Sequence, residues 1–218
     1  MRRVAALRYT ARCVPWLPPF VGALVGTSLV AARHGHDAAF PLQLASIVLA
    51  SGVGYVLDDP AFEILAASPT PLRQRRLQRL SVALPPIIVV WVLLLRWQGT
   101  AGSEETWALA AMFAGLLGLS LGIAGATARR SSRGRGGIAV APALLVMLFA
   151  STILAPRWRP LPMGDIPGGW PQIYLRWSLA AVIGVLLFLL SSRDPATLAV
   201  RRRLPRGVAT DHLDRGGQ

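Results

Sequence analysis

The sequence predicts an all-α integral membrane protein with six transmembrane helices and both termini in the cytoplasm. Three observations lead to this prediction. Hydrophobic residues make up 53% of the 218-residue chain and charged residues only 15%, which lies outside the usual composition of soluble domains. The hydrophobic residues are bunched into six runs almost free of charge, and the basic residues collect in alternate segments between these runs.

The six apolar runs are the predicted spans, at about residues 15–32, 41–57, 82–97, 107–128, 138–155 and 175–191. Only the fourth run reaches the ~20 residues that cross a ~30 Å hydrocarbon core. The other five are flanked by arginines or tryptophans that anchor at the membrane interface, so we count them as spans too. A soluble helical bundle is the alternative, but six helices that are apolar on every side leave too little polar surface to cover them.

The arginines predict the orientation of the spans. All 23 basic residues are arginine, and eighteen of them lie before span one, between spans two and three, between spans four and five, or after span six. Because arginine resists translocation and favours an anionic inner leaflet, this side is predicted to be cytoplasmic. We therefore expect a multi-pass protein of the cytoplasmic membrane, with residues 1–192 as its transmembrane domain and 193–218 as a basic cytoplasmic tail.

The N-terminal segment leaves two interpretations open. The basic stretch from Arg2 to Arg12, the apolar stretch Val21–Val30 and the small residues Ala31 and Ala32 together resemble a cleavable signal peptide. Three prolines and the long basic lead favour an uncleaved first span instead. Cleavage would leave the other five spans oriented as before.

The chain lacks the residues that several kinds of chemistry require. The chain has no lysine, which the phosphate-binding loop of ATPases and Schiff-base cofactors need. The motif RHGHD places His34, His36 and Asp37 in a short outer loop, where a polar turn is favoured over a metal site. The arginines are divided among four segments without interleaved aromatic residues, so nucleic acid is not a predicted partner. We predict no catalytic, cofactor-binding or metal-binding residue in this chain.

The motif GLSLG matches the serine nucleophile pattern, yet Ser120 falls within the fourth span and no histidine lies in any span. Small residues four positions apart allow close helix approach. We therefore predict a helix-packing role for the glycines at Gly22, Gly26, Gly118 and Gly122.

The stretch LDDPAFEILAASPTPLRQRRLQRL, between spans two and three, predicts a short helix followed by a second one. Asp59 caps the first helix, Pro60 takes its first position, and two later prolines end it by Ser68. Pro71 opens the second helix, which runs towards span three through a proline pair where we predict a kink. Residues 58–81 are thus predicted to be cytoplasmic, either as a docking element or as an interfacial connector whose arginines hold lipid phosphates.

The motifs DDPA, LAASPTP and RR within this stretch resemble a segment of actinobacterial ABC transporter permeases. These permeases are six-span membrane subunits paired with a separate ATP-binding subunit. In such permeases the loop between spans two and three is a coupling helix that fits a groove on the ATPase. The resemblance implies docking positions at Asp58, Asp59, Pro60, Phe62, Glu63, Ser68, Pro69, Thr70, Arg73, Arg75 and Arg76.

The resemblance further implies a permease subunit of an ATP-driven exporter, with ATP and magnesium bound by the partner and no cofactor in this chain. A second permease copy or a sister permease would complete the pathway within the lipid bilayer. Two alternatives remain, namely a membrane anchor or assembly factor without transport, and an intramembrane enzyme that acts through Ser120. A C-terminal Asp194–Pro195 cap followed by three arginines is either a second ATPase contact or an interfacial anchor, and residues 156–171 are predicted to form an irregular outer loop.

Overall fold

The computed structural model describes residues 14–32, 39–58, 72–98, 104–131, 136–154, 161 and 169–192. Within these residues the chain forms six α-helices and no strand: α1 (Leu17–Ala32), α2 (Ala39–Gly54), α3 (Leu72–Trp97), α4 (Glu104–Arg130), α5 (Val140–Ile153) and α6 (Gly169–Ser191). A 3₁₀ turn, Tyr55–Leu57, follows α2, and another, Gly137–Ala139, leads into α5. The predicted all-helical fold is confirmed for this part of the chain.

Three of the helices, α3, α4 and α6, are long and apolar enough to cross a membrane, by length and composition. The helices α1, α2 and α5 are shorter but equally apolar. A helix of 16 residues such as α1 is about 24 Å long, less than the ~30 Å of a hydrocarbon core. Six crossings and cytoplasmic termini therefore stay predictions.

The helix α4 lies at the centre of the bundle. In its most apolar stretch 72% of the residues are buried, against 33% for α3 and 22% for α6. It packs most extensively against α6 on one side and against α2 on the other, and α2 in turn packs against α1. Because α4 contacts helices from both halves of the chain, it holds the bundle together.

The helix α3 unites two elements that the sequence suggested separately. It begins at Leu72 and continues through Pro85 and Pro86 to Trp97, so the arginine-rich segment forms the first turns of the same helix as the apolar run. Proline removes a hydrogen bond to the carbonyl four residues earlier but has a helical φ, and helices in membranes tolerate it. The arginine end and the apolar part of α3 therefore form one continuous helix.

The last helix begins earlier than the predicted sixth span. It starts at Gly169, whose φ of 69° is in the left-handed region that glycine adopts readily. Residues 169–171, assigned by sequence to the outer loop, thus belong to α6. Within the rest of that loop, Leu161 is fully buried, and its backbone N–H donates a hydrogen bond to Ser151 Oγ at 3.0 Å.

Candidate functional site

One end of the bundle collects the described arginines of the two arginine-rich segments. We call it the basic end: the end where α2, α4 and α6 finish and where α1, α3 and α5 begin. Contacts between residues that follow α2 and residues that precede α5, and between the start of α3 and the end of α6, place these termini side by side. The described arginines here are Arg73, Arg75, Arg76, Arg79, Arg129 and Arg130.

Asp58 connects the end of α2 to the start of α5. Its backbone N–H bonds to the carbonyl of Tyr55, which closes the 3₁₀ turn, and its backbone then becomes extended. Its carboxylate Oδ1 accepts hydrogen bonds from the backbone N–H groups of Gly136 and Gly137, both at 2.7 Å. A carboxylate at this position satisfies N–H groups that have no partner within the helix and complements the positive end of the helix dipole.

The two glycines allow this close approach. A Cβ at Gly137 would lie 2.7 Å from the Cα of Tyr55 and 3.0 Å from Asp58 Oδ2, and a Cβ at Gly136 would overlap the carbonyl oxygen of Ala124. A larger residue at Gly137 would push the start of α5 away from the end of α2, and one at Gly136 would push it away from α4. The hydrogen bonds to Asp58 therefore depend on glycine at both positions.

Two buried arginines of α3 bind backbone carbonyls at the same end. Arg79 is 8% exposed and donates to the carbonyl of Asp58 at 3.0 Å. Arg76 is 6% exposed and donates to the carbonyl of Ser191 at 3.2 Å and to Ser192 Oγ at 3.4 Å. A positive charge at the C-terminus of α6 is favoured by the helix dipole.

These residues form one connected set, which we call the basic-end network: Asp58, Arg76, Arg79, Gly136, Gly137 and Ser191. It ties together the end of α2, the start of α3, the start of α5 and the end of α6. Sequence analysis selected Asp58 and Arg76 as docking positions, and the structure gives both residues contacts inside the bundle. Sequence analysis did not select Arg79, Gly136 or Gly137, although a glycine pair directly before an apolar run was visible in the sequence.

The other predicted docking positions divide into two groups. On the first turn of α3, Arg73 is exposed and Arg75 is half-buried. The positions Asp59, Pro60, Phe62, Glu63, Ser68, Pro69 and Thr70 lie outside the described residues, as do His34, His36 and Asp37. Docking at all of these positions stays a prediction.

The predicted packing glycines lie at two helix contacts. Between α1 and α2, a Cβ at Gly22 would lie 3.0 Å from the carbonyl oxygen of Val48, and one at Gly26 would lie 3.3 Å from the Cβ of Ala45.

Between α4 and α6, a Cβ at Gly118 would lie 2.9 Å from the carbonyl oxygen of Ala181, and one at Gly122 would lie 2.9 Å from that of Gly184. Ala126, which continues this spacing, is exposed. The contact with α6 is made instead by Gly125, which lies against Ser191.

Ser120 makes a helix contact rather than pointing into a cavity. It is fully buried, and its hydroxyl donates a hydrogen bond to the carbonyl of Ala50 at 2.6 Å. A second buried polar contact joins α3 to α2, where Trp91 Nε1 donates to Ser46 Oγ at 2.9 Å. The Trp91 ring also stacks on Phe113 of α4, with ring centroids 4.7 Å apart. These contacts fix the positions of α2, α3 and α4 relative to one another.

Among the described residues, no three or more His, Cys, Asp or Glu side chains are grouped so that they could hold a metal ion. Comparisons with protein families, with curated proteins and with solved structures find no match to this chain. The fold and the site define the class only: an all-helical protein with three helices long and apolar enough to cross a membrane.

Proposed function

We propose that the chain is the transmembrane permease subunit of an ATP-driven exporter of the ABC type, a six-span protein of the cytoplasmic membrane with both termini inside. In this proposal residues 59–71 are the element on which a separate ATP-binding subunit acts. The partner binds and hydrolyses ATP with magnesium, and this chain converts the resulting movement into a rearrangement of its helices. A second permease copy or a sister permease completes the pathway.

The observation that carries the proposal is that the described residues on both sides of residues 59–71 are bonded to other helices. On one side, Asp58 is bonded to the start of α5 and, through Arg79, to α3. On the other side, the segment continues into α3, whose Arg76 is bonded to the end of α6. A force on this short segment therefore reaches four helices through hydrogen bonds and continuous backbone.

The movement that follows is a change between two arrangements of packed helices. ATP binding brings the partner subunits together and displaces residues 59–71. The displacement shifts the start of α3 and the end of α2, and the basic-end network passes it to α5 and α6. Substrate access then changes from one side of the membrane to the other without any covalent chemistry in this chain.

Three further observations support this proposal over the alternatives. The arginine distribution favours a cytoplasmic basic end, the sequence of residues 57–80 resembles a permease coupling segment, and the Ser120 hydroxyl is engaged in a helix contact rather than paired with a base. A membrane anchor or assembly factor would need no connection between residues 59–71 and four helix ends.

The proposal is tested by affinity purification of the tagged chain from its native membrane in mild detergent, with bound proteins identified by mass spectrometry. We expect a phosphate-binding-loop ATPase to be recovered with the wild-type chain. The variants Asp59→Arg and Phe62→Glu should lose this partner. Trp107→Glu, at an exposed position at the start of α4 and near the opposite end of the bundle, is the matched control and should retain it. Failure to recover an ATPase with the wild-type chain, or equal recovery with Phe62→Glu, would refute the proposal.

A further inference from the structure

An apolar groove of about 430 Å³ opens on the bundle surface between α1 and α3. The segment at the start of α1 contributes Trp16, Phe20 and Ala23, and the middle of α3 contributes Pro86, Ile87 and Val90. All of these side chains are apolar or aromatic. Because a cavity without polar partners does not hold ordered water, the groove suits a hydrocarbon group.

The surroundings of the groove are apolar as well. Phe20 is 68% exposed and the neighbouring Leu17 is 73% exposed, and α3 is one of the helices long enough to cross a membrane. On α3 itself Val89 is 56% and Leu93 60% exposed, and exposed apolar surface on a helix of this length faces the hydrocarbon core of the bilayer. The chains of lipid molecules are therefore the hydrocarbon groups nearest to the groove.

Basic side chains continue from the groove towards the basic end. Arg75 precedes Pro86 by eleven residues, which is three helical turns, so both lie on the same face of α3 about 16 Å apart along its axis. A guanidinium group offers five N–H donors and binds phosphate oxygens in pairs.

We propose that the groove between α1 and α3 binds one hydrocarbon chain of an anionic phospholipid of the surrounding membrane, and that Arg75 binds the phosphate of the same lipid. The apolar walls select the hydrocarbon chain, and the excess of arginine selects a headgroup with a net negative charge over a zwitterionic one. This site is built entirely from this chain and requires no ATPase, so its test is separate from that of the proposed function, and it gives Arg75 a lipid contact in place of the docking role that the resemblance implied.

Native mass spectrometry of the full chain in mild detergent tests this proposal, with phosphatidylglycerol and phosphatidylcholine added in separate titrations. We expect one phosphatidylglycerol to bind at a concentration at least tenfold lower than phosphatidylcholine. Ala23→Trp fills the groove and should lower the affinity for both lipids at least tenfold. Arg75→Gln should weaken the binding of both lipids, because both carry the phosphate, and should weaken phosphatidylglycerol more, which reduces the preference for the anionic lipid. Val182→Trp, at an exposed position of α6, is the control and should bind as the wild type does.

Equal affinity of the wild-type chain for the two lipids would overturn the proposal, as would identical behaviour of Ala23→Trp and Val182→Trp. Ala23 packs partly against the core, so a tryptophan there can also disturb folding. Phe20→Ala provides the second variant, because this exposed side chain forms a wall of the groove without entering the core. This substitution should lower the affinity for both lipids at least threefold. An unchanged affinity in a folded Phe20→Ala variant would overturn the proposal.

Discussion

The carboxylate of Asp58 accepts a hydrogen bond from the backbone N–H of Gly136 at 2.7 Å, across 78 residues of sequence. Asp58 directly precedes the proposed coupling residues 59–71, and Gly136 directly precedes the 3₁₀ turn that leads into α5. The contact therefore joins the proposed coupling segment to a helix in the second half of the chain. In the proposed mechanism this contact is the route by which a displacement of residues 59–71 would reach α5.

Replacing Asp58 tests the energetic importance of this contact. Asp58→Ala leaves two N–H groups without their charged acceptor, and we expect the free energy of unfolding to fall by about 1.5–3 kcal/mol. Asp58→Asn keeps one oxygen acceptor and should lose about half as much. Thermal unfolding in one detergent, with the three proteins in parallel, measures the difference. An alanine variant as stable as the wild type would show that the hydrogen bonds contribute nothing.

The two arginines at the start of α3 differ in their surroundings and should differ in their effect. Arg76 is buried and binds the end of α6, so we expect Arg76→Gln to lower the free energy of unfolding by about 1.5–3 kcal/mol. Arg73 is exposed, so Arg73→Gln should change it by less than about 0.5 kcal/mol. The same unfolding assay compares the two variants. Equal losses would contradict the assignment of Arg76 to the basic-end network.

Because α4 and α6 approach closely, we predict that one added methyl group between them strongly lowers the free energy of unfolding. A Cβ at Gly184 would overlap the backbone of Gly118, so Gly184→Ala must separate the two helices. We expect a loss of about 1–3 kcal/mol in the free energy of unfolding, typical of overpacking. Ala126→Val adds two methyl groups at an exposed position of α4 and should cost less than about 0.5 kcal/mol. If the two variants unfold at the same temperature, the close approach of α4 and α6 is incorrect.

The helices were predictable from sequence because their signal is local. Each of the six apolar runs overlaps one of the six described helices, and small residues four positions apart pointed to backbone approach at Gly118 and Gly122, where a Cβ would lie 2.9 Å from a carbonyl oxygen of α6. The start of α3 was predictable as well, because Pro71 was expected to open a helix that runs through Pro85 and Pro86, and α3 begins at Leu72 and continues through that pair. Which residue packs against a given glycine, as Ser191 packs against Gly125, depends on which helices become neighbours.

The basic-end network was not predictable for a different reason. Hydrogen bonds from Gly136 to Asp58 and from Arg76 to Ser191 join residues 78 and 115 positions apart, and nothing in the local sequence specifies such pairs. The charges themselves were visible, so sequence analysis assigned Asp58 and Arg76 to a partner protein. The structure shows that both residues have contacts within this chain, which links the proposed docking segment to the bundle.

The orientation of the basic end is the claim on which the proposed function depends, and cysteine labelling in intact cells tests it most directly. The chain has a single cysteine, Cys13, so Cys13→Ser provides the background. Gln78→Cys and Glu104→Cys then place one thiol each at exposed positions near opposite ends of the bundle. A membrane-impermeant maleimide should label the Glu104→Cys variant in intact cells and the Gln78→Cys variant only after permeabilisation. Labelling of Gln78→Cys in intact cells would place the basic end outside, beyond the reach of a cytoplasmic ATPase, and would contradict the account.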